Sequence, residues 1–120
     1  MQRILVIDDE YPLCTTLAKI LREEGYEVLT SQSAKKGLEI LNSEKLDLVL
    51  LDINMPEMDG IEMLERIRQI DKNLPVIMIT GYGALKTAKE SMKLGAYDYI
   101  TKPFDLNFLK LVVKNALSEE

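Results

Sequence analysis

Length, composition and charge limit what this chain of 120 residues can be. Hydrophobic residues make up 47% of the chain and charged residues 29%, as in an ordinary globular domain. The net charge of −5 disfavours direct binding to nucleic acid. The absence of histidine excludes the commonest general base and any histidine-based metal site. The single cysteine, Cys14, excludes an internal disulfide.

Neither a membrane span nor a targeting segment is evident in the sequence. No apolar run is long enough to cross a bilayer. The first residues lead directly into a strand-like segment, without the layout of a signal peptide. We therefore expect one cytoplasmic domain over residues 1–120, with no contact with membranes.

Strand-like and helix-like patterns alternate along the chain. Short apolar runs predict buried strands at 4–7, 48–51 and 76–79, and mixed segments predict edge strands at 26–30 and 97–101. Between and after them, apolar residues recur at helical spacing. In chain order, the five predicted helical faces are Leu13, Leu17, Ile20 and Leu21; Ala34, Leu38 and Leu41; Ile61, Leu64 and Ile67; Leu85, Ala88 and Met92; and Leu106, Leu109, Val113 and Ala116.

Turn and capping residues punctuate the same pattern. Asp59 and Asp105 precede helical segments and are predicted to cap them. Gly25 and Gly95 follow helical segments, where a left-handed residue is favoured. Five strand–helix units predict an α/β fold with a parallel five-stranded sheet between two helical layers. Three central and two edge strands favour the doubly wound (βα)5, flavodoxin-like order 2-1-3-4-5.

Chemically complementary side chains follow the predicted strands. The first strand ends at Asp8-Asp9, the third at Asp52, the fourth at Thr80 and the fifth just before Lys102. Ligands of doubly wound sheets bind beyond the carboxyl ends of the strands. We therefore expect three carboxylates, a hydroxyl and an ammonium group to converge there.

Three clustered carboxylates call for a divalent cation, because one lysine cannot balance them. Oxygen ligands without histidine or thiolate favour Mg²⁺, and the backbone carbonyl of Asn54 could fill another position. Beside Mg²⁺ and Lys102, Asp52 could act as a nucleophile toward phosphorus. Thr80 could donate a hydrogen bond to a phosphoryl oxygen.

Each of these residues also has a plainer interpretation. An aspartate at a strand end is usually a turn former or a helix cap, and Asp9 could cap the first helix. Lys102 could be a solvated surface residue and Thr80 an ordinary strand-end hydroxyl. The site hypothesis depends on four strand ends carrying complementary groups together.

Four stretches resemble bacterial response-regulator receiver domains, and the resemblance covers residues 2–118. The matching stretches are ILVIDDE (4–10), DLVLLDINMPEMDG (47–60), PVIMITGYG (75–83) and GAYDYITKPF (95–104). The segment MKLGAYDYITKPF (92–104) is most similar to receivers of nitrogen-regulation-type transcriptional activators. The resemblance implies a phosphorylation-dependent switch rather than a conventional enzyme.

The resemblance also implies a role for each motif residue. Asp52 would be the phosphoacceptor, and Asp9, directly, and Asp8, often through water, would hold Mg²⁺ with Asp52 and the carbonyl of Asn54. Thr80 would be the switch hydroxyl, Tyr99 the switch aromatic and Lys102 the lysine of the motif. Pro103 would follow a cis peptide bond. Asn54 and Tyr82 would tune the rate of dephosphorylation.

Expected partners follow from the same resemblance. A sensor histidine kinase would supply the phosphoryl group, since this chain has no histidine. The surface of the fourth helix, fifth strand and fifth helix would control an output domain or a target protein, or form a homodimer on phosphorylation. Both a stand-alone regulator and one domain of a larger regulator fit the sequence.

Two other function classes fit the sheet but not the residues. A flavodoxin-like cofactor binder would place a flavin phosphate against three carboxylates, which would repel it. A haloacid-dehalogenase-like phosphatase needs a second aspartate two residues after its nucleophile. That position holds Asn54, which cannot act as an acid or base.

Overall fold

The fold is a parallel five-stranded sheet between two layers of helices. The computed structural model describes residues 1–55, 58–81 and 85–118. In chain order, the elements are β1 (Arg3–Ile7), α1 (Tyr11–Glu23), β2 (Glu27–Ser31), α2 (Ala34–Ser43), β3 (Leu48–Asp52), α3 (Gly60–Ile70), β4 (Val76–Thr80), α4 (Leu85–Lys93), β5 (Asp98–Thr101) and α5 (Leu106–Ser118). The strand order is β2-β1-β3-β4-β5, so the predicted fold class and topology are confirmed.

The sheet separates two hydrophobic cores. Side chains of α1 and α5 pack on one face, and side chains of α2 and α3 pack on the other. Helix α4 lies beside α3 and contacts β4 and β5. All five residues of β3 and of β4 are buried, because central strands are covered on both faces. In the described part of the chain, no helix combines the length and apolarity that a membrane crossing requires.

The predicted helix ends are present. Asp59 Oδ1 accepts the backbone N–H three residues further on at 2.9 Å, and Asp105 Oδ1 accepts the N–H two residues further on at 2.7 Å. Gly25 and Gly95 have φ angles of +97° and +93°, in the region that favours glycine. These signals fix where the loops leave the helices and enter the strands.

Two predicted inner positions are wrong. Met92 is 39% exposed, and Ser91 is buried in its place because its hydroxyl donates to the carbonyl of Ala88 at 2.6 Å. A serine whose hydroxyl bonds to a carbonyl of its own helix can be buried in the core, although a pattern of apolar residues alone would place it on the surface. Leu106, in the first turn of α5, is 36% exposed. The side chain of Leu85 lies outside the described part.

The register aligns the carboxyl ends of the strands. Ile7 pairs with Ser31 on one side and with Leu51 on the other, and Asp52 pairs with Ile79. Strand β2 begins at Glu27 rather than at Tyr26, because the Tyr26 N–H bonds to the carbonyl of Leu21 in the turn after α1. The strands therefore end at matching positions along the edge of the sheet that carries the predicted site.

Gly60 allows α3 to start close against the end of β3. Its N–H donates to the carbonyl of Ile53 at 2.9 Å, and a Cβ at Gly60 would lie 2.6 Å from the Ile53 Cα. A backbone atom cannot move aside as a side chain can. This contact holds the segment after Asp52 against the sheet.

Gly60→Ala should therefore destabilise the protein by about 1–3 kcal/mol. The free energy of unfolding, measured by urea denaturation, checks this. Gly37→Ala is the matched control, since its Cβ would meet the Ile7 Cδ1, a side-chain end that can turn, at 2.7 Å. We expect the control to cost less, and equal losses at both positions would contradict the explanation.

Candidate functional site

Buried polar side chains gather where the central strands end. Asp8, Asp52 and Thr80 are 0%, 3% and 1% exposed, respectively. The N–H of Lys102 donates to the carbonyl of Thr80 at 2.7 Å, which ties the end of β5 to the end of β4. The structure thus brings four of the residues from the predicted constellation to one edge of the sheet.

Lys102 contacts three carboxylates at once. Its Nζ lies 2.8 Å from Glu10 Oε1, 3.3 Å from Asp8 Oδ2 and 3.7 Å from Asp52 Oδ2. Its side chain is 21% exposed, so the charged ammonium group beside the carboxylates is partly shielded from water. The peptide bond between Lys102 and Pro103 is cis.

Backbone groups fix the two buried aspartates. The Asp8 N–H donates to the Ser31 carbonyl at 3.0 Å, and Asp8 Oδ1 accepts the Glu10 N–H at 2.9 Å. Asp52 Oδ1 accepts the Asn54 N–H at 3.1 Å. In each carboxylate one oxygen is held by the backbone, and the other points toward Lys102.

Two buried oxygens have no hydrogen-bond donor or acceptor within the described ranges: Asp8 Oδ2 and Thr80 Oγ1. The 3.3 Å contact from Asp8 Oδ2 to Lys102 is an ion pair without the directions of a hydrogen bond. Buried polar atoms are rarely left unpaired, and such atoms commonly mark a place where a ligand or ion binds.

Glu10, rather than Asp9, completes the carboxylate cluster. Oxygens of Asp8, Glu10 and Asp52 lie within 4.8 Å of one another, and this group could hold a metal ion. Asp9 is exposed and is not part of it. The sequence interpretation missed Glu10, although it directly follows Asp8-Asp9 after a strand. Asp9 as a metal ligand remains a prediction.

The remaining predicted residues are placed as follows. Asn54 is exposed, and its backbone N–H contacts Asp52, whereas the role of its carbonyl remains a prediction. Tyr99 is half-buried and packs against the core on the α2 and α3 side. Tyr82 lies outside the described residues.

Burial controls the charge of Asp52. Its pKa is raised to about 7, mainly by burial and also by the nearby Asp8 carboxylate, which together outweigh the opposite effects of the Asn54 N–H and Lys102. Burial alone would lower the pKa of Lys102, but Glu10, Asp8 and Asp52 outweigh it and raise that pKa. The cluster therefore holds a firmly protonated lysine beside a carboxyl group that is easily neutralised.

The donor set fits a small hard cation. The ligand atoms of this group are all oxygens, and Asp8 Oδ2 is a buried acceptor with no donor among the residues that the structure describes. Mg²⁺ prefers carboxylate and carbonyl oxygens and retains several waters. The Glu10 side chain is 61% exposed, so water reaches the cluster on that side.

Asp52→Asn should stabilise the metal-free protein, and more so at high pH. A raised pKa means that the folded state retains a proton that the unfolded state has lost, so stability falls as pH rises from about 4 to about 7. The gain should be about 1–3 kcal/mol larger at pH 8 than at pH 5. Urea unfolding in EDTA measures it.

Asp9→Asn is the matched control, because it neutralises an exposed carboxylate beside the same cluster. It should change the free energy of unfolding by less than about 0.5 kcal/mol at both pH values. A gain for Asp52→Asn that does not depend on pH would contradict the raised pKa of Asp52.

Comparisons with known proteins agree with this geometry. The family model described as "Response regulator receiver domain" matches residues 4–114. The chain is 40% identical over 116 residues to Sporulation initiation phosphotransferase F of Bacillus subtilis, and the alignment covers 97% of this chain and 94% of that protein. It is 41% identical to Transcriptional regulatory protein ZraR of Escherichia coli, covering 96% of this chain but only 26% of that protein.

Solved structures of receiver domains are also similar to this chain. A response regulator receiver domain protein from Clostridium thermocellum superposes with a TM-score of 0.94 at 36% identity, covering 99% of this chain and 96% of that chain. The receiver domain of NtrX from Brucella abortus gives 0.93 at 39% identity, with 98% and 99% covered. Receivers of transcriptional regulators are thus among the relatives, as the sequence indicated. The chain belongs to the response regulator receiver domains of two-component signalling.

Proposed function

We propose that residues 1–120 work as one receiver unit that accepts a phosphoryl group on Asp52 and thereby switches a signal in the cytoplasm. The observation that carries the proposal is the position of Asp52. It lies buried at the end of a central strand, with a lysine ammonium 3.7 Å from one oxygen and a carboxylate cluster that fits a cation. Positioning and charge neutralisation are what phosphoryl transfer needs most.

The phosphoryl donor is a phosphohistidine of a partner sensor kinase. Residues 1–120 contain no histidine, so the imidazole lies outside this sequence. An oxygen of Asp52 attacks phosphorus as the P–N bond of the donor breaks. The electron pair of that bond stays on the imidazole nitrogen, which takes a proton from solvent. The relative from Bacillus subtilis is named a phosphotransferase, in keeping with such a transfer.

In this proposal Asp8, Asp9, Asp52 and the carbonyl of Asn54 would hold Mg²⁺. When bound, it neutralises charge on the phosphoryl oxygens. Asp8 supplies the buried acceptor that has no donor within the described ranges, and Asp9 would have to turn toward the cluster from its exposed position. Lys102 meets the remaining phosphoryl charge as an ion-pair partner.

Thr80 and Tyr99 read out the phosphoryl group. The Thr80 hydroxyl is buried without a partner in the described residues, so a phosphoryl oxygen on Asp52 offers it an acceptor. Movement of Thr80 toward Asp52 leaves space into which the half-buried Tyr99 can turn. Shifting such an equilibrium from mostly off to mostly on takes about 5 kcal/mol, which a few charge-assisted hydrogen bonds can supply.

The output surface is formed by α4, β5 and α5. On α5, Phe108 and Leu111 are 52% and 54% exposed, and large exposed apolar side chains of this kind favour a protein partner. The partner is an output domain, a target protein or a second copy that pairs on phosphorylation. The ZraR relative is a transcriptional regulator almost four times as long as the matched region, so an output of that kind is one of these alternatives.

Intact-mass measurement after incubation with acetyl phosphate and Mg²⁺ tests the core of the proposal. We expect a gain of one phosphoryl group that is absent without Mg²⁺ and absent in Asp52→Asn. Turnover of a generic phosphate ester by the protein would instead favour a phosphatase. No adduct on the wild-type protein under any condition would refute phosphorylation of Asp52.

Thr80→Val should separate stability from signalling. It removes, at nearly constant shape, a buried hydroxyl that has no partner in the described part of the chain, so the free energy of unfolding should rise by about 1 kcal/mol. The NMR shift of the Tyr99 ring on adding beryllofluoride, a phosphoryl mimic, should shrink. Thr101→Val, at the exposed position paired with Thr80, is the control and should retain the shift. A full response in Thr80→Val would remove Thr80 from the switch.

A further inference from the structure

Glu10 makes the shortest of the three ion pairs of the Lys102 ammonium group, although the proposed phosphorylation reaction assigns it no role. The distance from Nζ to Glu10 Oε1 is 2.8 Å, against 3.3 Å to Asp8 and 3.7 Å to Asp52. The Glu10 side chain is 61% exposed, whereas those of Asp8 and Asp52 are 0% and 4% exposed. Glu10 therefore draws the ammonium group toward the solvent side of the cluster.

We propose that Glu10 is a positioning residue for Lys102, which holds the ammonium group at the mouth of the site and competes with the phosphoryl group for it. This inference rests on the proposed phosphorylation of Asp52. Its consequence is that the ion pair between Glu10 and Lys102 must open before the lysine can serve the phosphoryl group. The pair thus favours the unphosphorylated arrangement.

The backbone of Glu10 is fixed, so this pair is not a contact between two freely moving surface chains. The Glu10 N–H donates to the buried Asp8 carboxylate at 2.9 Å, and the Glu10 carbonyl accepts the N–H of Cys14 in α1 at 3.1 Å. Glu10 is also the residue that precedes the first turn of α1, where the positive end of the helix favours a negative side chain.

Competition follows from charge and distance. An oxygen of Glu10 lies within 4.8 Å of an oxygen of Asp52, so a phosphoryl group on Asp52 would bring further negative charge next to Glu10. Like charges at this separation repel in a partly buried site. Lys102 can offset that repulsion for one of the two groups, and whichever group it leaves is destabilised.

The test is the affinity of the protein for beryllofluoride at saturating Mg²⁺, followed by NMR titration. Glu10→Gln removes the competing charge and should tighten binding by about two- to fivefold, the size expected for a partly exposed ion pair. Glu10→Ala should act in the same direction. In a Lys102→Gln background the effect of Glu10→Gln should shrink, because competition for the lysine is gone and only the direct repulsion between Glu10 and the bound anion remains.

Glu62→Gln is the matched control. It removes the same charge from the first turn of α3, where Glu62 pairs with Arg66 at 3.7 Å on the surface. It should leave the beryllofluoride affinity unchanged. As a readout without ligand, the ¹⁵N shift of Lys102 Nζ in the metal-free protein should change in Glu10→Gln and stay constant in Glu62→Gln.

The outcomes separate the two proposals. If wild-type protein does not bind beryllofluoride with Mg²⁺, the proposed phosphorylation itself fails. If wild-type protein binds and Glu10→Gln binds equally or more weakly, the competition by Glu10 is overturned. An equal effect of Glu10→Gln with and without Lys102 would overturn its action through the lysine.

Discussion

The site depends on the repulsion between two aspartates buried at the ends of adjacent strands, Asp8 and Asp52. Burial of a carboxylate is unfavourable, and burial together with the neighbouring Asp8 charge raises the pKa of Asp52. The chain offsets this with a lysine from beyond the last strand, whose Nζ reaches both. The arrangement requires an aligned sheet, because a slip of one residue in β3 would turn Asp52 to the opposite face.

Much of this arrangement could be predicted from the sequence. Strands buried on both faces are recognisable as uninterrupted apolar runs, and the residue that ends each run is therefore placed at one edge of the sheet. That is why Asp52, Thr80 and Lys102 could be assigned to one site from the sequence. The helix ends followed for a similar reason, since Asp59 and Gly95 act through local backbone chemistry that depends little on the rest of the fold.

The parts that could not be predicted depend on local geometry that apolar patterns do not encode. Three acidic residues follow β1, and the turn between β1 and α1 decides that Asp8 and Glu10 face the cluster while Asp9 faces solvent. In the same way, burial of Ser91 depends on a hydrogen bond within its own helix. Which of these side chains is buried depends on single dihedral angles and single hydrogen bonds, and the periodicity of apolar residues does not reveal them.

The charges of the cluster are consistent with one lysine and one divalent cation in the proposed site. Three ionised carboxylates and one ammonium group leave two negative charges, which one Mg²⁺ would neutralise. In the proposed reaction Asp52 gives up its own charge and gains the two charges of a phosphoryl group, so the site becomes more negative by one. In the proposed reaction the lysine would move to meet that charge, and its partner in the unphosphorylated state, Glu10, would then be part of the switch.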